Sequence, residues 1–347
     1  MPKKLRAPRV RQALDALSLT RLHHVLAPIT RGSGVVFTLH HVRPFGGASF
    51  APNRILEITP EFLEMAVRFV RESGYDIVTL DEAIERLGSK NSGRFAAFTF
   101  DDGFRSVRDH ALPIMRKYGA HSTLFVVPAF ADGTGQMWWL ELERTIAAMP
   151  VIEFQGEAFD TSTTERKYAA WNALYWRLRA MDELEMRAAI SALAENAGVD
   201  TSSIARDQAM DWDELRGIVD DPLVSIGNHT VSHYMLRKHA DEVARSEIVD
   251  AQARIARELN VVPRHIAYPV GDPTSAGTRE FRMARDLGFT GGWTTRLGPV
   301  FPGHRRHTTA MPRVSLNGLY QERRYLELFV SGLPFALKNR FRRLNVA

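Results

Sequence analysis

Two short groups of residues carry side chains suited to metal chemistry. The first is the adjacent carboxylate pair Asp101 and Asp102, which directly follows the apolar run 95–100. The second is the pair His229 and His233, which are four residues apart. If one helical turn forms there, both imidazoles project to one side, which suits a divalent metal. Two imidazoles and one carboxylate make a three-ligand set with an open position for water, as in hydrolytic zinc sites.

The two neighbouring acids form an electrostatically unfavourable pair. Adjacent carboxylates repel each other and are costly to desolvate, unless a cation lies between them or one works as a base. We therefore expect Asp101 and Asp102 to have different functions. The alternative is a capped turn before a helix at about 105–118, because acids favour a helix N-terminus.

The elements that position these residues alternate between strands and helices. The apolar run 95–100 predicts a buried strand that ends at the two acids. Further strands are predicted at 34–39, 75–80, 122–127, 224–226, 265–268, 290–295 and 312–316, and helices at 60–73, 82–87 (capped by Asp81), 105–118, 240–259 and 275–287. Repeated βα units predict an α/β fold with parallel strands. A TIM-like barrel is the expected architecture, and an open doubly wound sheet is the alternative.

Composition limits the protein class. The 347 residues suffice for one large barrel or two ordinary domains, and the absence of cysteine excludes disulfides and thiolate metal sites. No apolar run reaches the roughly 18 residues of a membrane helix, and no apolar core follows the basic N-terminus. We therefore expect a cytoplasmic protein.

Positive charge is concentrated at the two ends of the chain. Residues 1–31 hold seven Lys/Arg and one Asp, and residues 334–347 hold four Lys/Arg and no acid. Leu and Phe are interleaved with the C-terminal basic residues, so these ends are suited to lie on an anionic membrane surface. A pair of solvated terminal helices is the alternative. No nucleic-acid-binding motif accompanies the basic residues, and we expect no nucleic-acid partner.

The acid and histidine motifs together resemble those of a known family. Thr99–Gly103, followed about 130 residues later by His229–His233, resembles the polysaccharide deacetylase family, the NodB-homology group of carbohydrate esterase family 4. Residues Trp212–Leu215 and Ala267–Gly271 resemble its flanking motifs, and the likeness covers roughly 34–316. The resemblance implies a distorted (β/α) barrel and metal-dependent removal of N-acetyl groups from amino-sugar glycans.

The resemblance also implies roles for individual residues. By position, Asp101 is the general base and Asp102 binds the metal together with His229 and His233. The implied metal is Zn²⁺, with Co²⁺ or Ni²⁺ as alternatives. This division is physically reasonable, because a metal holds one carboxylate ionised while its neighbour accepts a proton.

The third family motif departs from its usual form, Arg-x-Pro-Tyr-Gly. Here Ala267 stands at the Arg position and Val270 at the Tyr position. The family arginine often steadies the base, so Asp101 must be oriented otherwise, and Arg313 is either an active-site cation or a surface residue. The backbone N–H of Val270 can still supply the oxyanion donor. The altered motif resembles the branch that acts on poly-N-acetylglucosamine-like exopolysaccharides.

An acid that protonates the leaving amine is also required. Leu39-His40-His41-Val42 resembles the Tyr-His-Arg-Val segment of the exopolysaccharide branch, which makes His40 the first candidate. His304 and His307, in a basic loop, are the alternatives. A histidine suits this role because its charge changes near neutral pH.

Aromatic residues are the candidates for contacts with the sugar. Trp212 and Tyr268 are expected to wall the acetyl pocket. Trp138 and Trp139 either stack on sugar rings or belong to the core.

The sequence thus predicts three parts: a basic helical arm (1–31), a catalytic domain (32–316) with a helical insertion at about 132–211, and a basic helical tail (317–347). The predicted activity is N-deacetylation of an amino-sugar polysaccharide or glycolipid precursor in cell-envelope metabolism. Two alternatives remain: hydrolysis of a formamide or O-acetyl ester on a lipid-linked sugar, or glycan binding with weak or no turnover. The predicted location is cytoplasmic, with peripheral contact at the inner membrane face.

Overall fold

The computed structural model describes residues 6–89 and 93–346. The strands are β1 (Gly34–Leu39), β2 (His41–Val42), β3 (Glu57–Ile58), β4 (Tyr75–Ile77), β5 (Arg94–Phe100), β6 (Ser122–Val126), β7 (Val151–Phe154), β8 (Glu157–Asp160), β9 (Val224–Asn228), β10 (His265–Ala267), β11 (Gly291–Leu297) and β12 (Met311–Ser315). Seven of them run parallel in the order β1-β12-β11-β10-β9-β6-β5, and β5 pairs again with β1. This pairing closes the ring, which confirms the barrel and excludes the open sheet.

Helices surround this ring. They are α1 (Arg6–Leu19), α2 (Leu22–Thr30), α3 (Pro60–Glu72), α4 (Leu80–Arg86), α5 (Leu112–Lys117), α6 (Pro128–Ala131), α7 (Trp138–Ala148), α8 (Thr164–Ala180), α9 (Glu183–Asn196), α10 (Ile204–Gln208), α11 (Trp212–Val219), α12 (Asp241–Leu259), α13 (Thr278–Asp286), α14 (Arg323–Ser331) and α15 (Leu333–Lys338). No helix among residues 6–89 and 93–346 is long and apolar enough to cross a membrane.

The two faces of β5 show why the strand sequence is continuously apolar. Phe95 and Ala97 belong to a core cluster inside the ring, together with Phe125 and Trp293. The alternate residues of β5, such as Phe98, belong to a separate cluster that packs against the outer helices. Both faces are buried, as is usual for parallel strands covered by helices.

One local prediction about a helix was wrong. Thr79, and not Asp81, caps α4, because the Thr79 hydroxyl accepts a hydrogen bond from the amide of Glu82 at 3.1 Å. The helix expected at about 105–118 is present at 105–117. It contains a π-helical turn at Val107–Ala111, which precedes the α-helical part, α5.

The insertion at about 132–211 is mainly helical but also holds an antiparallel hairpin. Strands β7 and β8 pair from Val151↔Asp160 to Phe154↔Glu157. Only the alternate residues Ile152 and Phe154 of β7 are buried, so this strand has one face in the core. The expectation of an all-helical segment overlooked this pattern.

The N- and C-terminal helices pack against each other. The hydroxyl of Thr30, at the end of α2, donates a hydrogen bond to the carbonyl of Ser331, at the end of α14 (2.6 Å). Tyr325 of α14 donates to Asp15 of α1 at 2.5 Å. The two helical ends therefore form one layer, here called the terminal-helix layer (α1, α2, α14 and α15).

Candidate metal and catalytic site

Polar side chains converge at one end of the barrel. Asp101 and Asp102 follow β5, His229 follows β9, and His40 follows β1. Because these strands are parallel, their carboxyl ends meet at the same edge of the ring. The Asp101 amide donates to the Leu39 carbonyl at 2.9 Å, which places the first acid beside His40.

Three of these side chains offer their ligand atoms to a common point. The Asp102 Oδ1 atom lies 3.4 Å from Nε2 of His229 and 3.3 Å from Nε2 of His233. Ligands at 2.0–2.1 Å from a tetrahedral metal are roughly 3.3 Å from one another, so the spacing fits. Asp102 Oδ1 is also buried without a hydrogen-bond donor among the described residues. A divalent metal would satisfy it, because an unpartnered buried carboxylate oxygen is costly.

The imidazole of His229 is held in the orientation that a ligand needs. Its Nδ1 lies 2.7 Å from the carbonyl oxygen of Ala267. This contact suits a proton on Nδ1, and with a metal bound the Nε2 lone pair would face it. His233 is held by packing instead, with its ring 5.1 Å from that of Trp139 and 5.7 Å from that of Phe130.

The two histidines are joined by a loop, and the helical turn considered for them is absent. Thr230 and His233 have positive φ angles of 62° and 56°. The side chain of Asn228 shapes the loop by accepting a hydrogen bond from the Thr230 amide at 2.9 Å. Arg187, from α9 of the insertion, donates to the His233 carbonyl at 3.0 Å. The insertion therefore helps to hold one of the two imidazoles.

Electrostatics favour an ionised carboxylate in this group. Burial by itself would raise the pKa of Asp102, but His233 and His229 hold this pKa well below its usual range. Burial lowers the pKa of His233 below its ordinary value despite the nearby acid. An ionised Asp102 and a neutral His233 are the forms that bind metals.

Asp101 makes a two-pronged ion pair with Arg313 of β12. The Nη1 and Nη2 atoms of Arg313 donate to the two carboxylate oxygens, each at 2.7 Å. Thr38 of β1 donates to the same carboxylate at 3.3 Å. Burial would raise the pKa of Asp101, but the charge of Arg313 keeps it below its usual value, so the acid stays ionised. Each carboxylate oxygen has two acceptor positions, so Oδ1 can still accept a further proton donor.

Arg313 lies inside the barrel and not on the surface. It is fully buried, and its other hydrogen bonds among the described residues go to Thr99 (2.9 Å) and the carbonyl of Thr294 (3.1 Å). Ala267, at the family's arginine position, lies in the core cluster inside the ring. The guanidinium that faces Asp101 thus comes from a different strand, two positions farther around the ring.

Val270 has an unusual backbone conformation for a β-branched residue. Its φ angle is 62°, in the left-handed region. Its carbonyl accepts a hydrogen bond from Thr295 at 2.7 Å, while its amide has no hydrogen-bond partner among the described residues. Asp102 also has a positive φ, 71°. Strained residues of this kind cluster at functional sites, and the Val270 N–H is free to donate to a ligand.

The histidine candidates for the acid differ in location. The charge of His40 is close enough to lower the pKa of both Asp101 and Asp102. His304 and His307 lie beyond Val300, whose carbonyl accepts from the amides that begin β1, at the opposite end of the barrel. The structure therefore separates His304 and His307 from the acids.

The neighbouring His41 makes its own contacts beside the site. Its Nδ1 lies 3.2 Å from the hydroxyl of Ser106, and its ring stacks on Phe104 at 3.6 Å.

Most of the aromatic residues expected to contact the sugar or to wall the acetyl pocket make other contacts. Tyr268 lies in the core between the barrel and α13, and its hydroxyl donates to the Thr309 carbonyl at 2.7 Å, so it does not wall a pocket. The Trp212 indole donates to Asp132 at 2.7 Å. Trp138 and Trp139 are core residues, although Trp139 touches His233. The prediction for Tyr268 was wrong because its side chain points to the outer face of β10.

Comparisons with known proteins bear on the family and the fold of the chain. The family model for polysaccharide deacetylase matches residues 88–154 and 159–292, which is more than half of the chain. YxkH of Bacillus subtilis (strain 168), which is provisionally named as a polysaccharide deacetylase, is 28% identical over 81 residues. That match spans 23% of this chain and only 29% of the length of YxkH.

Two solved structures resemble the whole barrel. IcaB from Ammonifex degensii has a TM-score of 0.54 at 17% identity, and the match covers 87% of this chain and 97% of that one. The deacetylase PplD of Streptococcus pyogenes, solved with acetate, has a TM-score of 0.53 at 15% identity, covering 82% and 92%. At these identities the likeness concerns the fold.

Proposed function

Because this chain belongs to the polysaccharide deacetylase family and is therefore a hydrolase, we propose that it removes N-acetyl groups from an amino-sugar polysaccharide or glycolipid precursor of the cell envelope. One observation carries the proposal. A buried three-ligand group (Asp102, His229 and His233) lies beside an ionised acid, Asp101, which Arg313 holds in place. The IcaB and PplD likenesses agree with this choice of reaction at the level of the fold.

The ligand set suits a borderline divalent metal, with Zn²⁺ as the proposed ion and Co²⁺ or Ni²⁺ as alternatives. Asp102, His229 and His233 would hold it and leave a position open. Such a metal polarises an amide carbonyl and acidifies a water molecule.

The chain's own residues supply the remaining steps. Asp101 accepts a proton as water adds to the carbonyl carbon of the acetamide. The free N–H of Val270 donates to the carbonyl oxygen as negative charge develops on it. His40 then protonates the sugar nitrogen, the C–N bond breaks, and acetate and the free amine are released. The three groups come from β5, β10 and β1, at one edge of the ring.

The alternative functions are distinguished by their substrates and by the need for Asp101. A glycan-binding protein without turnover was considered because Ala267 replaces the family arginine. The ion pair of Asp101 with Arg313 removes this reason, because the acid has a partner. A formamide or O-acetyl ester on a lipid-linked sugar would use the same residues, so only substrate comparison separates it from an N-acetyl group.

The experiment is acetate release from N-acetylglucosamine oligomers by the Zn²⁺- or Co²⁺-loaded chain, with N-formyl and O-acetyl analogues in parallel. We expect the N-acetyl substrate to be preferred, and Asp101→Asn to lose at least about 100-fold of the rate while it keeps its metal. Equal turnover by Asp101→Asn would exclude the assigned base. If acetate were released only from the O-acetyl analogue, the substrate would be an O-acetyl ester and not an N-acetyl group.

We also propose that the terminal-helix layer contacts an anionic membrane from the cytoplasmic side. Val25 and Ile29 of α2 are 73% and 58% exposed, and Phe341 is 58% exposed. Ile29 and Phe341 line one cavity together with Arg342 and Arg343, so the apolar and basic groups are neighbours. Exposed apolar side chains among cations are typical of interfacial binding.

Sedimentation with vesicles tests the membrane proposal. We expect the chain to sediment with phosphatidylcholine vesicles that contain phosphatidylglycerol, and to be released by salt. Val25→Gln should weaken binding, whereas Val262→Gln, at a site 66% exposed outside the terminal-helix layer, should not. Equal binding to neutral and anionic vesicles would count against the proposal.

A further inference from the structure

A second group of metal-ligating side chains lies in the terminal-helix layer. His23 and His24 of α2 and Glu327 of α14 each offer one ligand atom, and these atoms all lie within 4.8 Å of one another. The two imidazole rings have centroids 4.0 Å apart. Two imidazoles and one carboxylate are again a donor set suited to Zn²⁺, Co²⁺ or Ni²⁺.

His23 gives an independent reason to place a ligand here. Its side chain is buried at 3% exposure, and neither ring nitrogen has a hydrogen-bond partner among the described residues. A neutral imidazole carries one donor and one acceptor, and each costs about 1–3 kcal/mol if it is buried unsatisfied.

The surroundings leave room for a small ligand. The group borders a cavity of about 290 Å³, which Tyr75, Arg94 and Arg323 also line. Arg323 donates to Oε1 of Glu327 at 3.1 Å, and no hydrogen bond to Oε2 of Glu327 is seen in the described chain. The nearby arginines oppose a bare cation, so this site should bind a metal more weakly than the Asp102 site.

We propose that His23, His24 and Glu327 form a second divalent-metal site, which ties α2 to α14. The ligands come from both ends of the chain, next to the hydrogen bond from Thr30 to Ser331. A metal bound there stabilises the folded state, because it binds the native layer and not the separated helices.

Metal counting tests the proposal on the full chain. Wild type dialysed against micromolar Zn²⁺ should hold two metal ions per chain, and His24→Ala and His229→Ala should each hold one. His24 is exposed, so His24→Ala is expected to fold, and Glu327→Gln offers a second variant with the same prediction. The exposed His307, changed to Ala, is the matched control and should keep two metals.

Two results would overturn the proposal. One is a His24→Ala variant that holds as many metal ions as wild type. The other is a melting temperature that does not rise with Zn²⁺ but rises with inorganic phosphate, and does so in wild type and not in His24→Ala. That result would make the cavity an anion site, as its arginines favour.

Discussion

Arg313 and Asp101 face each other inside the barrel with both guanidinium Nη atoms 2.7 Å from the carboxylate, although 212 residues separate them in the chain. The pair spans three neighbouring strands, because β1 lies between β5 and β12. It fixes the plane of the acid that we assign as the base.

Replacing Arg313 should reduce turnover more than it reduces metal binding. Arg313→Lys keeps the charge but loses the planar fork, so we expect acetate release to fall at least about tenfold. Arg313→Ala leaves a buried charge unpaired and should destabilise the fold by about 3–5 kcal/mol. Urea unfolding and metal content, measured beside the rate, separate these effects.

Ala267 offers a direct test of the same relationship. Because Ala267 also lies inside the ring, the double variant Ala267→Arg with Arg313→Ala moves the guanidinium to the family's usual strand. We expect it to recover part of the rate lost in Arg313→Ala. If Arg313→Ala alone kept the full rate, the pair would have no part in orienting the base.

Removing a ligand at the Asp102 site should remove one metal equivalent. His229→Ala loses an imidazole that the Ala267 carbonyl orients at 2.7 Å, and Asp102→Asn loses the charge. We expect at least about 10-fold weaker Zn²⁺ binding at this site, with loss of acetate release. Elemental analysis and titration against a competing chelator measure it, and His121→Ala is the control. An unchanged metal count would exclude His229 as a ligand.

The effect on the rate of removing the proposed acid, His40, should depend on the leaving group. His40→Ala should slow N-acetyl hydrolysis about 100-fold or more, because an amine must be protonated to leave. An aryl acetate should be affected far less, because a phenolate leaves without a proton. His307→Ala, at the other end of the barrel, should change neither rate. Equal losses on both substrates would show that His40 acts otherwise.

A buried histidine gives the fold a dependence on pH that is separate from catalysis. Burial lowers the pKa of His304 to about 4, and its Nδ1 lies 3.0 Å from the Phe301 amide, from which it accepts. The unfolded chain binds this proton near its ordinary pKa of about 6.5. This contribution to the free energy of unfolding is therefore fully present above about pH 6.5. It falls by about 3 kcal/mol as the pH drops towards 4.

Urea unfolding at pH 7 and pH 5 measures this effect. His304→Gln should show a smaller difference between the two pH values than wild type, whereas the exposed neighbour variant His307→Gln should match wild type. The same slope in all three proteins would mean that His304 does not titrate in this way.

The barrel was largely predictable because strands alternate with helices along the chain, and because β5 is almost continuously apolar and is followed directly by Asp101. The candidate metal group was predictable as a set of side chains, because Asp102, His229 and His233 carry recognisable spacing. Its local geometry was not, because a loop with left-handed Thr230 and His233 replaces the helical turn. Nothing in the residue types of this loop requires that conformation.

Arg313 could be named only as a possible active-site residue, because its place near Asp101 depends on ring closure, which brings β12 beside β1. The alternation of residues along the strands nevertheless pointed to this pair. Thr99 and Asp101 share one face of β5, and Arg313 interrupts a buried strand with a charge that needs a partner. The left-handed conformation of Val270 had no such signal, because β-branched residues rarely adopt it.

The pairing of β1 with β5 closes the ring, and it also sets His40 beside Asp101 through the hydrogen bond from the Asp101 amide to the Leu39 carbonyl. A slip of one residue at this seam would turn the acid out of the barrel. The base and its proposed acid therefore become neighbours only when β1 has paired with β5. During refolding, acetate release should report barrel closure, and it should recover later than the helical signal of the chain.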